Sequence, residues 1–527
     1  MRHRTSWITP LAISAVPPHA LYLGTQVLFR STDQGQSWET VSPDLTGAVP
    51  GLPGCTDAEI PDHRTRACGY GTIATIAPSP RAEDVVWVGT DSGRIQRTAD
   101  GGKTWQDVTP SGLTDWSRIA QIDASPHDAG TAYAAVDRHR LDDLRPYVYV
   151  THDAGKTWRL ATAGLPADGW VAVVRQDPVR ADLLYAGTSR GAWVSFDDGA
   201  SWQPLQLNLP TTGVNDLTVH GADLIAATHG RALWVLDDVT PLRHLAVGGT
   251  APRLLPPAPA WRLSANQNKD TPLPLDEPRT ENPPAGAILD YLLPAEIAGP
   301  VVLEIADTQG RVLRSFRSDV TPEAPEASKY FADAWLTRLA PLPARPGHNR
   351  FVWDLREPRP TGADAEFSIA ALPGSTPILP QGLLAPPGTY EVRLTVAGRT
   401  LTQPLTLAMD PRSPATAADL AAQRALYAEI SEALERTAAA RREVDTAALR
   451  LQSLPQDLAA RVERFRSGSG DENLTTLADV LTAQATDLEG CDCPPTAPQR
   501  EVVALYRRQL DAALASWRAL ADTLPRP

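Results

Sequence analysis

Short runs of alternating apolar and polar residues fill the first 240 positions and recur as a group. Each group opens with "TPLAIS", "TIATIAPSP", "IAQIDASP" or "VAVVRQDP". It continues through "ALYLGTQVLFR", "VVWVGTDSGRIQR", "TAYAAVDRHRLDDLRPYVYV" or "LLYAGTSRGAWV" and closes on "SWETV", "TWQDV", "TWRLA" or "SWQPL". A period of two puts every second side chain on one face of a pleated strand, so each group predicts four short antiparallel strands. A fifth group, "VNDLTVHGADLIAATHGRALWVLDD" at 214–238, keeps three strands and lacks the closing one.

The pattern changes twice downstream. Residues 241–285 are rich in proline, as in "LLPPAPAW" and "DTPLPLDEPRTENPPAGA", and predict a stiff, extended linker. Strand alternation resumes over 286–411 in "VVLEIADTQGRVLRSF", "HNRFVWDLR" and "GTYEVRLTVAGRTLTQPLTLAMD". About seven short strands there predict an Ig-like β-sandwich with Trp353 in its core. Over 412–527 the spacing becomes helical. Leu420, Leu426, Ile430 and Leu434 share one face, and Val503, Tyr506, Leu510, Leu514, Trp517 and Leu520 share another, which predicts a helical bundle.

Between the third and fourth strands of each complete group stands one turn, S/T-x-D-x-G-x-S/T-W. Its members are Asp33, Gly35 and Trp38; Asp100, Gly102 and Trp105; Asp153, Gly155 and Trp158; and Asp197, Gly199 and Trp202. An aspartate can accept from the N–H groups of its own turn, glycine allows positive φ, and tryptophan packs across the turn. Four equivalent copies argue for a structural staple, since hydrolysis of a glycoside needs one facing pair of carboxyl groups.

The four turns resemble Asp-box (BNR) repeats, found in sialidases, xyloglucan hydrolases, the sortilin (VPS10) propeller and photosystem-assembly propellers. The chain as a whole resembles the C-terminal half of large bacterial "glycosyl hydrolase" or sortilin-like propeller proteins. That resemblance implies a β-propeller of about five blades over residues 1–240, an open arc or small ring. It also implies that the chain is part of a longer propeller and works outside the cytoplasm. The arginine-bearing F/Y-R-I-P stretch of sialidases is absent, and nothing matches the catalytic-aspartate stretches of the xyloglucan hydrolases.

Composition narrows the remaining classes. The chain has 527 residues, with 49 Lys and Arg against 62 Asp and Glu, a formal charge of −13. No basic stripe follows a phosphate backbone, so nucleic acid is not an expected partner. No apolar run is long enough to span a bilayer, so the chain is not expected to be transmembrane. The start, "MRHRTSWITPLAISAVPPHA", has the basic and apolar regions of a signal peptide, but Thr9, Pro10, Pro17 and Pro18 interrupt it, so it makes no convincing signal and Trp7 to Ser14 reads instead as a strand. Of four cysteines, Cys55 and Cys68 bracket a polar loop and are a disulfide candidate, whereas Cys491 and Cys493 stand too close for an ordinary bridge. No spacing fits a metal site, and no cofactor is expected.

Two stretches carry candidate binding chemistry. The insertion "DRHRLDDLRPYVY" at 137–149 brings Arg138, His139, Arg140, Asp142, Asp143 and Arg145 into one loop between a second and a third strand. Loops are where function concentrates, although a self-neutralising hairpin explains the same charges. The stretch "ATHGRALWVLDD" at 227–238 resembles the closing segment of that bacterial group, which implies a place near the central channel for His229 and Arg231, and a polar strand-end turn explains them as well. The sequence thus favours a non-catalytic binding or scaffold module for protein or glycan, with a glycoside hydrolase of sialidase or xyloglucanase type as the alternative.

Overall fold

The computed structural model describes residues 3–48, 67–245, 251–264, 280, 282–320, 332–337, 340–367, 376–467 and 470–524. The chain divides into two compact units, Met1–Val247 and Gly248–Pro527.

The first unit is a succession of small antiparallel sheets. Sheet 1 is β1 (Leu11–Ile13), β2 (Leu21–Gly24), β3 (Leu28–Ser31) and β4 (Glu39–Thr40). Sheet 2 is β5 (Ile73–Pro78), β6 (Val86–Thr90), β7 (Ile95–Thr98) and β8 (Gln106–Asp107). Sheet 3 is β9 (Arg118–Ala124), β10 (Ala132–Asp137), β11 (Val148–Thr151) and β12 (Arg159–Leu160). Sheet 4 is β13 (Val171–Gln176), β14 (Leu184–Thr188), β15 (Gly191–Ser195) and β16 (Gln203–Pro204). Sheet 5 has three strands, β17 (Val214–His220), β18 (Asp223–Thr228) and β19 (Leu233–Leu236), and runs into the short helix α1 (Thr240–His244). Strand order follows the chain in every sheet, and the first strands of sheets 2 to 5 neighbour one another in sequence.

The alternation explains the layering. The second strands β6, β10 and β14 are buried throughout, with Trp87, Tyr133 and Tyr185 fully enclosed between sheets, whereas the two-residue fourth strands are exposed. Antiparallel order also fixes the two ends of each sheet. The Asp/Gly turns join third to fourth strands at one end, and the links from second to third strands lie at the other, with those leading on to the next sheet.

In the second unit the strands are β20 (Arg253–Leu254), β21 (Ala260–Arg262), β22 (Ala287–Leu293), β23 (Val302–Ala306), β24 (Val312–Arg317), β25 (Gly347–Trp353), β26 (Glu366–Phe367), β27 (Ile378–Leu379), β28 (Gly388–Val396) and β29 (Arg399–Met409). They form sheets of order β20-β22-β25 and β21-β29-β28-β23-β24, plus the hairpin β26-β27. Tyr291 and Trp353 from one sheet and Leu303, Val392 and Leu405 from the other share one core. The linker expected over 241–285 is corrected here. Part of it is α1, and β20 and β21 pair with β22 and β29, because Leu254 and Ala260 are apolar enough to be buried in the sandwich core.

Helices α2 (Ala417–Ala448), α3 (Gln456–Ser467), α4 (Leu474–Leu488) and α5 (Ala497–Ala521) close the chain. Thr416 with Asp419 and Thr496 with Gln499 form capping boxes at the starts of α2 and α5. Their apolar faces meet around Ile430, Leu434, Leu481, Leu510 and Trp517. Glu489, just past α4, ties this bundle to the preceding loops. It accepts from the N–H groups of Gln381 and Gly382 at 2.8 Å and from the Tyr427 hydroxyl at 2.6 Å.

The cysteines correct a second expectation. Cys491 and Cys493 form a disulfide, their Cα atoms 5.4 Å apart and within the usual span. Asp492 between them pairs with buried Arg262 at 2.7 Å. Cys68 is disulfide-bonded, while Cys55 lies outside the described residues.

Candidate functional site

All four Asp/Gly turns have the same internal wiring. In the second, the Thr104 N–H and hydroxyl donate to the two oxygens of Asp100, the Thr98 hydroxyl donates to Asp100, and the Gly102 N–H donates to Thr98. The hydroxyls of Ser37, Thr104 and Thr157 hold the carboxyls of Asp33, Asp100 and Asp153 down to about 2. Burial pushes Asp197 up, and hydrogen bonds from Ser201 and Ser195 more than offset it, leaving it low. Both oxygens of each carboxylate are engaged inside the turn.

The turns also join sheets. Trp105, Trp158 and Trp202 donate their indole N–H to the carbonyls of Val41, Val108 and Ala161, the residues that follow the fourth strand of the preceding sheet. Those same residues lie against Gly102, Gly155 and Gly199, where a Cβ would come within 2.9, 2.7 and 3.2 Å of theirs. Positive φ and this close approach make glycine necessary there.

At the opposite end of sheet 3 the insertion forms a compact cluster. Its start, His139–Leu141, is a 3-10 turn whose C-cap, Asp142, is exposed and left-handed. Buried Asp137, at the end of β10, holds Nδ1 of His139 at 2.6 and 2.8 Å. The imidazole stacks on Trp170, the residue before β13, with centroids 5.2 Å apart and planes at 28°. Among the described residues nothing bonds Nε2, and the ring stays partly open to solvent.

Beside it, Tyr147 lies under two guanidinium groups, Arg138 at 5.1 Å and Arg145 at 5.7 Å from its ring centre. Asp143 joins them, accepting from Arg145 through two nitrogens and from the Tyr147 hydroxyl at 2.8 Å. Hydrogen bonds from Arg145 hold the Asp143 carboxyl far below the usual range, and burial pushes the Tyr147 phenol up. Arg138 reaches on to the Thr114 hydroxyl in the loop that precedes β9.

The structure therefore brings together Arg138, His139, Asp143 and Arg145. Arg140 and Asp142 are exposed, and His229 and Arg231 stand exposed in the β18–β19 link with no hydrogen bond or ion pair to the cluster among the described residues. Asp137 and Tyr147, which belong to the same charged stretch, complete the site together with Trp170, which lies outside it. Trp170 had a signal. It and Trp116, which ends the loop before β9, are the last residues ahead of a first strand or one removed from it, and both are partly exposed at this end. Salt bridges Arg94–Asp115 and Arg190–Asp168 lie in the same set of links.

A second carboxylate group sits on the first strands. Arg175 of β13 donates to Asp123 of β9 and to Asp216 of β17, each at 3.0 Å. Burial pushes the Asp123 carboxyl up against the pull of Arg175, while Asp216 is largely exposed. The roomiest cleft among those described, about 700 Å³, lies apart from both groups, on the rim between sheets 2 and 3 beside Tyr149, Lys156 and Trp158. Among the described residues no three metal-ligating side chains converge, and no helix is long and apolar enough to cross a membrane.

No protein-family model matches the chain. A stretch of 227 residues is 23% identical to a xyloglucanase of a Paenibacillus species, covering 40% of this chain and 22% of that protein. The chain thus spans about a fifth of the relative's length. Among solved structures, the GH74 enzyme of Niastella koreensis matches with a TM-score of 0.33 at 15% identity, over 43% of this chain and 33% of that one. The GH74 xyloglucanase of Xanthomonas campestris matches with a TM-score of 0.33 at 13% identity, over 77% and 55%. At these scores the structural likenesses carry no conclusion about activity.

Proposed function

We propose that the first unit is an Asp-box propeller arc of five blades acting as a non-catalytic glycan-binding module, with the His139–Trp170 stack as its recognition platform. The single observation that carries this is a partly open imidazole held by a buried carboxylate and laid on an indole, at the end of the sheets away from the staple turns. Such a rigid, amphipathic aromatic surface, flanked by Arg138, Arg145 and Tyr147, suits a polyhydroxylated chain that needs both an apolar face and fixed polar partners. The carboxylates of this cluster do not suit acid or base work. Asp137 is committed to His139, and Asp143 to two arginines and a tyrosine. The Asp/Gly turn carboxylates serve as staples.

The partial match to a xyloglucanase supports a β-glucan such as xyloglucan as the ligand. We read the two sheets of the second unit as an Ig-like sandwich accompanying this module. Two disulfide-bonded sites support an oxidising, extracytoplasmic location. Isothermal titration with xyloglucan oligosaccharides tests the reading. Saturable heat that Trp170→Ala shifts to much weaker binding supports it, and no binding by correctly folded protein turns it toward a protein ligand.

The second reading is a glycoside hydrolase. It is favoured by the pair Asp123 and Asp216 on the first strands that flank β13 on either side, one with its carboxyl raised by burial, as hydrolysis requires of its acid. Against it, both carboxylates are bound to Arg175, and Asp123 also accepts from the Gln176 N–H. Release of reducing ends from xyloglucan, lost in Asp123→Asn, would establish it.

A further inference from the structure

One residue separates Cys491 from Cys493, so their disulfide closes a loop of almost no length. A cross-link stabilises a fold largely by restricting the unfolded chain, in proportion to the logarithm of the loop it closes, and this one restricts very little. Other bonds fix the segment. Gln423 of α2, itself buried, donates to the carbonyls of Leu488 at 2.6 Å and Cys491 at 2.7 Å. Asp492 pairs with Arg262 of β21, the two side chains only 8% and 2% exposed. Arg500 donates to the Pro495 carbonyl at 2.9 Å, and Thr496 begins the capping box of α5. None of these contacts uses a sulfur atom.

The fold therefore holds the two cysteines side by side whether or not the bond between them is made. Their Cα atoms, 5.4 Å apart, stand at bridging distance through the anchors on either side. Cys491 is exposed and Cys493 half-buried, so an incoming sulfur reaches Cys491 first and Cys493 becomes the leaving group. An exposed bridge that contributes little to stability has the properties of an exchanging disulfide, not of a staple.

We propose that Cys491–Cys493 is a thiol–disulfide exchange site that oxidises a dithiol. One thiolate of the dithiol attacks Sγ of Cys491 and forms an S–S bond to it. The Cys491–Cys493 bond breaks, its electron pair leaves on Cys493, and that thiolate takes up a proton. The second thiolate of the dithiol then attacks its own partner sulfur in the mixed disulfide and releases Cys491, which is protonated in turn. Two electrons have passed to this chain, now a dithiol, and the substrate is a disulfide.

The oxidised full chain, mixed anaerobically with an equimolar reduced synthetic peptide bearing two cysteines, tests this, with dithiothreitol in a parallel arm. Acid quenching, alkylation and mass-spectrometric mapping follow each sulfur. The peptide should be oxidised while Cys491 and Cys493 become alkylated and Cys68 stays bonded. Early quenches should show the peptide on Cys491 and the alkyl group on Cys493. The Cys491→Ser/Cys493→Ser chain should oxidise the peptide at least about tenfold more slowly. Reduction should move the Tm of the second unit by less than about 3 °C. Reduction of this bridge by dithiothreitol alone, with Cys68 still bonded, assigns the site to small dithiols instead of polypeptide ones. The Cys68 bond is the comparison within the wild-type chain, so the test stands even where the double variant folds poorly. A bridge that resists both reagents, reduction of Cys68 at the same rate, or loss of the second unit's transition on reduction overturns the proposal.

Discussion

The imidazole of His139 lies on the indole of Trp170, 5.2 Å between ring centres, although the two residues sit in links belonging to different sheets. Asp137 holds the imidazole at its edge through Nδ1, so the pair is rigid before any ligand arrives. Preorganised aromatic surface of this kind limits the ordering cost of binding.

Trp170→Ala should therefore weaken xyloglucan-oligosaccharide binding by about 2 kcal/mol, some thirtyfold in Kd, the range for removing an aromatic anchor. His139→Ala should cost a comparable amount, and exposed Arg140→Ala almost nothing. Titration calorimetry on the three variants, each checked for folding by circular dichroism, decides this.

The staple turns predict an acid dependence with a definite sign. The carboxyls of Asp33, Asp100 and Asp153 sit at about 2 in the folded chain, below the ~3.9 of an unfolded aspartate. Their stabilising contribution is complete above pH ~4 and is lost as pH falls through about 2. The Tm gap between wild type and Asp100→Asn should stay constant from pH 7 to 5 and close between pH 4 and 2. A gap that widens on acidification would refute this wiring.

At the joints between sheets, Trp158→Phe keeps an aromatic ring, a smaller one, and removes the hydrogen bond to the Val108 carbonyl. It should destabilise by about 1 kcal/mol. Trp158→Ala, which also opens a void between sheets 2 and 3, should cost about 3–5 kcal/mol. Urea unfolding followed by fluorescence measures both.

Glu489→Leu should unfold the second unit early. It strands two backbone N–H groups and the Tyr427 hydroxyl in the interior, a loss of about 3–5 kcal/mol for breaking a buried charged network. Limited proteolysis should then cut near residues 380–382, and the first unit should keep its own transition.

Much of this architecture was legible because period and turn chemistry agree. Sheets 1 to 4 could be read from alternation ending on an Asp/Gly turn, and sheet 5 from losing that turn. What escaped was whatever depends on long-range pairing. β20 and β21 lie in a proline-rich stretch with no local strand signal, and only their partners β22 and β29 make them strands. The Cys491–Cys493 bridge is not legible in the sequence, because one intervening residue argues against an ordinary bridge. At the candidate site the charged insertion could be read as a loop, but Trp170 comes 31 positions after His139 and meets it only because sheets 3 and 4 are adjacent. The pattern of residues ahead of each first strand was the available clue, and it carries no pairing.

The measurement that tests the central claim most directly is one titration of the full chain with xyloglucan oligosaccharides, run beside a reducing-end assay on the same samples. The account predicts saturable binding that Trp170→Ala weakens about thirtyfold, with no reducing ends released. Binding of unchanged affinity in Trp170→Ala, or turnover that Asp123→Asn abolishes, would contradict it.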